Sequence, residues 1–227
     1  MRRALAATLA VGAIALAAAC GGSSGDGSTE AASTAAPLPP TGASTAATAP
    51  ADELAGRLPA EDALAGVRPG ELTPLPTAED FVAALYQAGD PAREAARRRL
   101  EEGGYADGLL RDQAGEDPAG GVALVRSYAI RMRDDEAARA EVDAAAAEVE
   151  DSPLGQATAL EVPDVEGARG LRVEVSQGGI AGQVVFVTFA RGPYVQGIQA
   201  VARAGADLPQ DEVVRAAQDL AARLGSP

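Results

Sequence analysis

Val184-Val185-Phe186-Val187-Thr188-Phe189-Ala190-Arg191-Gly192-Pro193-Tyr194-Val195 decides the fold. Successive side chains of a strand point to opposite faces, and here apolar residues stand on both parities across 183–190. Such a strand belongs near the middle of a sheet covered on two sides. Arg191-Gly192 is a hairpin turn, and 194–202 returns as the next strand. Working backwards, Leu171, Val173 and Val175 alternate with Arg172, Glu174 and Ser176, which describes a strand with one wet face. Gly178-Gly179 turns that strand into 183–190, and a short strand near 157–162 precedes it through Pro163-Asp164-Val165-Glu166-Gly167. Working forwards, Asp207-Leu208-Pro209 opens a helix whose Val213, Ala217, Leu220 and Leu224 keep a period of 3.6 until Gly225. The last third is therefore an antiparallel meander closed by a helix.

The middle third supplies the partners of that meander. Val122, Leu124, Tyr128, Ile130 and Met132 share one strand parity, interrupted by Arg126, which implies a bulge, a slipped register or an inward-facing cation. Asp134-Asp135 caps a helix over about 135–150, with Ala138, Val142, Ala145 and Val149 on one stripe and Arg139 and Asp143 as an i, i+4 pair. Thr77 caps a helix reaching about Ala88, and Asp90-Pro91 starts another that reaches about Glu102. Arg97, Arg98 and Arg99 on that helix read as a solvated face paired with Glu94, Glu101 and Glu102. The prolines at 59, 69, 74 and 76 make the stretch before Thr77 a set of short helical turns. The expected class is α+β, an antiparallel sheet of about four to five strands packed by helices.

Composition narrows the chemistry. The chain has 227 residues, no His, no Trp, one Cys and a formal charge of −14, with 19 basic against 33 acidic residues. Every basic residue is Arg, so Schiff-base amines and phosphate-loop lysines are excluded. Without imidazole there is no His base for a Ser or Cys nucleophile and no His-bearing metal site. Acidity argues against nucleic acid, which is held by basic side chains on phosphates. The acidic runs Asp112, Glu116, Asp117 and Asp134, Asp135, Glu136 lack the spacing that wraps carboxylates around Ca²⁺. No metal, no cofactor and no catalytic residue is expected.

The N-terminus carries an address. Arg2 and Arg3 precede an uncharged apolar run over 4–16, then Ala17-Ala18-Ala19 and Cys20, the layout of a secretory signal peptide over 1–19. Leu16-Ala17-Ala18-Ala19-Cys20 resembles the lipobox of bacterial lipoproteins, with Ala17 where that family usually has Leu. The resemblance implies that Cys20 becomes the first mature residue and carries diacylglyceryl and palmitate, anchoring the chain to the outer side of the cell membrane. Residues 20–50 are mainly Gly, Ser, Thr, Ala and Pro, a flexible tether spanning about 30 Å, and 51–227 is a single domain.

The run from Val185 to Val195, followed by Leu208-Pro209 and Ala222-Arg223-Leu224, is similar to the closing hairpin and helix of actinobacterial surface lipoproteins and extracytoplasmic sensor domains. That resemblance implies a secreted α+β domain and carries over no catalytic residue. The expected function is a non-catalytic module binding an envelope small ligand or protein. A structural lipoprotein without small ligand and a carboxylate-dependent hydrolase are the alternatives. Arg126, Tyr128, Arg191 and Tyr194 are the candidate ligand-binding residues, because a cation and an aromatic ring near strands hold an anionic or planar group.

Overall fold

The computed structural model describes residues 51–87, 89–116, 121–152, 155–177, 180–203, 205–206 and 208–225. Its elements run α1 (Ala51–Ala55), β1 (Glu71–Leu75), α2 (Ala78–Leu85), α3 (Pro91–Glu102), β2 (Asp107–Ala114), β3 (Val122–Arg131), α4 (Asp135–Glu150), β4 (Gly155–Leu160), β5 (Arg169–Gln177), β6 (Ile180–Arg191), β7 (Tyr194–Arg203) and α5 (Gln210–Leu224). The strands form one antiparallel sheet of seven in the order β1-β2-β3-β7-β6-β5-β4. The class is α+β, as its pattern implies, with seven strands rather than four or five.

The order has a simple origin. β4 to β7 form the meander, and β7 then pairs with β3. Because three strands lie between β3 and β4, the chain joining them must cross the sheet, and α4 makes the crossing over β7, β6 and β5. β6 and β7 are covered on two sides. On the front, Tyr128, Ile130, Phe186 and Val195 pack against α2, α3 and α4. On the back, Val125, Val185, Val187, Phe189 and Ile198 pack against α5 and against Leu64 and Val67.

Local chemistry sets the helix starts. Thr77 accepts from the Asp80 amide while Asp80 accepts from the Thr77 amide, a reciprocal cap. Asp90 and Asp134 cap α3 and α4 by accepting from the Ala92 and Ala137 amides. α2 ends earlier than expected, at Leu85 rather than about Ala88, because Tyr86 turns to an extended conformation. Ala88 itself lies outside the described residues.

Two strands escape the sequence pattern. The stretch before Thr77 contains β1, not helical turns alone; Pro74 is tolerated there because β1 is an edge strand. β2 hides because its back face is buried yet polar: Asp107 pairs with Arg131 at 2.9 Å, Arg111 donates to the Pro59 carbonyl at 2.8 Å, and Gln113 donates to that of Glu61 at 2.9 Å. The back of β2 is thus roofed by the N-terminal segment. That segment is also clasped from the other end of the chain, since Arg223 donates to the Leu58 carbonyl and the Glu212 carboxylate accepts from the Ala65 amide at 3.1 Å.

The register of β3 shifts between Val122 and Leu124 and runs unbroken through Arg126, which stays on the parity of Tyr128 and Ile130. The shift sends Val122 into the back core while Tyr128 and Ile130 stay in front. Tyr128 lies flat across β7 at Gly197, its direct cross-strand neighbour, where the absence of a side chain makes room for the ring.

Candidate functional site

α4 is poor in large side chains, and that shapes the front layer. Ala145 lies over a floor of Val173, Val184 and Phe186, and its methyl group does not fill the gap between helix and sheet. A cleft of about 100 Å³ remains, walled by Phe81 and Leu85 of α2 and by Tyr128 and Val149. Its lining is mainly apolar, with polar groups from Glu141, Glu148 and Tyr86 and, apart from these three, from Ser152 and Gln199. The first three are tied together.

Those polar groups belong to a network. Arg99 of α3 donates to both oxygens of Glu141, Nε to Oε2 at 2.8 Å and a second nitrogen to Oε1 at 3.1 Å. The same nitrogen reaches Oε2 of Glu148 at 3.2 Å, and the Tyr86 hydroxyl donates to that oxygen at 3.0 Å. Oε1 of Glu148 is buried and has no hydrogen-bond partner among the described residues. The early end of α2 has its purpose here, since the extended Tyr86 carries its hydroxyl towards α4.

Burial raises the carboxyl of Glu141 above its ordinary range, with Arg99 opposing. Burial likewise raises Glu148, against the pull of Arg99 and the Tyr86 hydrogen bond. Burial and the Glu148 charge push the Tyr86 phenol well up, so it is a fixed donor and not a base. Burial works against the charge of Arg99, but Glu141 more than restores it.

The sign of the pH dependence follows. An acid whose folded-state pKa is raised binds its proton more tightly in the folded chain, so it favours folding at low pH and loses that contribution as pH rises. The window opens near the ordinary value of 4.5 and closes above the raised values of Glu141 and Glu148. The urea midpoint is expected to be higher at pH 5 than at pH 7.5, and Glu148→Gln to flatten that slope. A slope unchanged in the variant would remove Glu148 from the account.

The four sequence candidates do not come together. Tyr128 lines the cleft, and its hydroxyl lies near Thr188, whose own hydroxyl donates to the Gln196 carbonyl at 3.0 Å. Arg126 shares its face but forms a two-toothed pair with Asp112 across β2 and β3, at 2.8 and 2.9 Å. Arg191 and Tyr194 face each other across the opposite parity. The guanidinium of Arg57 lies 3.4 Å from the centre of the Tyr194 ring, and the Tyr194 hydroxyl donates to Glu53, so that ring holds α1. Arg191 lies beside Phe189 and borders a depression of about 420 Å³ with Arg139 and Arg169, where Asp135, Asp143 and Glu166 balance the charge. There Asp143 accepts from Arg169 at 2.7 Å in place of the expected pairing with Arg139. One ligand therefore does not touch all four residues. Cys20, the signal peptide and the tether lie outside the described residues.

Arg99, Glu141 and Glu148 were missed, although each left a signal. Arg97 and Arg98 pair outward with Glu94 and Glu101 as expected of a solvated face. Arg99 follows Ala96 by three residues and precedes Leu100, both fully buried, which turns it inward. Glu141 and Glu148 stand seven residues apart, two turns along the face of α4 that also carries Ala138 and Ala145. Among the described residues no group of His, Cys, Asp or Glu is arranged to hold a metal ion.

No family model matches this chain, and no curated protein matches it. Among solved structures it is similar to the extracellular domain of PknH from Mycobacterium tuberculosis, with 13% identity over 74% of this chain and 94% of that one and a TM-score of 0.47. At that score the likeness carries nothing about the site.

Proposed function

We propose that this chain is a cell-envelope lipoprotein, anchored through Cys20 on the extracytoplasmic side of the membrane, whose domain is a non-catalytic binding module. The cleft beneath α4 carries this reading: a cavity lined by Leu85, Val149, Val173, Val184 and Phe186 excludes water cheaply and accepts an apolar group of matching size. Its volume suits a group of about four or five heavy atoms, somewhat less than a benzene ring needs. The polar lining favours holding over reacting. Both oxygens of Glu141 are taken by Arg99, Tyr86 is locked as a donor, and one carboxylate oxygen alone does not make an acid–base pair.

The structural-lipoprotein alternative calls for an exposed apolar patch as its docking surface. Among the described residues the exposed large apolar side chain is Leu72, on edge strand β1, and a single such residue is ordinary surface.

The test uses the mature chain made without lipid (Cys20→Ala) and 1-butanol as probe. Methyl resonances of Val149, Val173 and Val184 are expected to shift saturably, and Ala145→Leu, which fills the gap, is expected to abolish the response. Unmoved methyls in the parent chain would sink the reading. The anchor is checked separately: Cys20→Ala is expected to leave the membrane fraction with the loss of the lipid mass, and a variant that stays there at unchanged mass would refute it.

A further inference from the structure

We propose that the cleft selects apolar primary amines, the ammonium group docking on the Glu148 carboxylate and the hydrocarbon filling the space under Ala145. This rests on the binding-module reading and gives it a ligand class. Three observations carry it. The network holds one cation, Arg99, against two carboxylates, so one negative charge is left over when both are ionised. The hydrogen bonds are unevenly spent: Oε2 of Glu148 receives Tyr86 and Arg99, while buried Oε1 receives no donor among the described residues. Glu148 itself lines the cavity, and among the described lining residues none is basic.

A buried carboxylate oxygen without a donor is costly, and a turn of the Glu148 side chain that opens Oε1 to an incoming N–H group removes that cost. An ammonium supplies both the missing charge and the missing donor, and with three N–H groups it tolerates imperfect aim. A carboxylate ligand meets uncompensated negative charge and is rejected. A neutral alcohol supplies a donor but no charge. The rings of Phe81, Tyr86, Tyr128 and Phe186 border the same space, and aromatic faces are compatible with a cation.

Binding is coupled to the proton on Glu148. The charged groups facing it are Arg99 and the α3 cap Asp90, and on its own helix Glu141; Tyr86 of the α2 end contributes its hydroxyl. Burial raises this carboxyl, Asp90 adds to the rise, and an ammonium beside Oε1 lowers it again. Amine affinity therefore falls as pH drops through the raised pKa of Glu148, whereas alcohol affinity does not.

The experiment titrates the same unlipidated mature chain with n-butylammonium, 1-butanol and butyrate, following the methyl resonances at pH 7.5 and pH 5. Butylammonium is expected to bind at least tenfold more tightly than 1-butanol at pH 7.5, to lose that advantage at pH 5, and butyrate is expected not to bind. Glu148→Gln is expected to erase the amine preference while 1-butanol binds as before. Equal affinity for amine and alcohol in the parent chain, or a preference that survives Glu148→Gln, overturns the amine proposal and leaves the apolar cleft standing. Failure of every probe overturns both. The comparison among probes in the parent chain decides the matter even if the variant folds poorly.

Discussion

Arg99→Met is expected to destabilise the domain by about 4 kcal/mol at neutral pH, within the range measured when one partner of a buried ion pair is removed. The loss does not come from the pair itself, whose attraction is largely offset by desolvation. It comes from what the substitution leaves behind. The Glu141 side chain is only 5% exposed, and both its oxygens lose their donors at once. A carboxylate stripped in this way takes up a proton or forces the helix away from the sheet. Two controls identify the mechanism in urea denaturation. Arg99→Met with Glu141→Leu should recover most of the loss, because the stranded charge has gone. The deficit of the single variant should also shrink toward pH 5, where Glu141 is more easily protonated. If the two substitutions are simply additive, the stranded-charge account is wrong.

Gly197→Ala should cost about 3 kcal/mol, the upper end of the range for overpacking a core. The methyl group would overlap Cζ and Cε1 of the Tyr128 ring and its hydroxyl oxygen, so Tyr128→Phe leaves the closest part of the clash in place. The ring has little freedom to withdraw. Tyr128 is 4% exposed and packs edge-on against Phe81, with centroids 5.2 Å apart and planes at 80°. For a domain of this size the melting temperature should fall by about 10 °C. Combining Gly197→Ala with Tyr128→Leu tests the contact: if the clash dominates, the double variant loses much less than the sum of its parts. Full additivity would place the cost in the β7 backbone instead. Because Tyr128 also borders the cleft, Gly197→Ala should weaken 1-butanol binding as well.

The parts of this fold that announce themselves are those where side-chain pattern and backbone demand coincide. β6 is legible because apolar residues on both parities suit a two-sided strand, and β7 because Arg191-Gly192 turns the chain back beside it. The starts of α2, α3 and α4 are legible because Thr77, Asp90 and Asp134 satisfy amides that any helix leaves open. β2 is not, because Arg111 and Gln113 point into a core whose carbonyl acceptors come from residues more than fifty positions away. The cleft fared similarly. Strand parity places Tyr128 on the front face, but the charged network reads as surface because Arg99 sits in a run of three arginines. Of the three readings of Arg126, the structure has the cation on the shared parity with no slip at that residue, paired with Asp112 on the neighbouring strand. Nothing local in the sequence specifies that Tyr86 abandons its helix to meet Glu148.

The clasp between the two ends of the domain bears on how the chain is made. Arg223 and the Leu58 carbonyl are separated by 165 residues, and Glu212 and the Ala65 amide by 147. A chain emerging N-terminus first has only β2 and β3 for the strip around residues 54–68 to lie against, and the strip's other side stays open until α5 follows. The sheet centre waits as well, since β3 finds its partner β7 only after the crossover and the whole meander. Assembly is therefore weighted to the last moment, when the terminal helix closes the back and the earliest residues are pinned together. Until then the domain is an unfinished thread, and a nascent chain stalled before residue 210 should remain open to proteases.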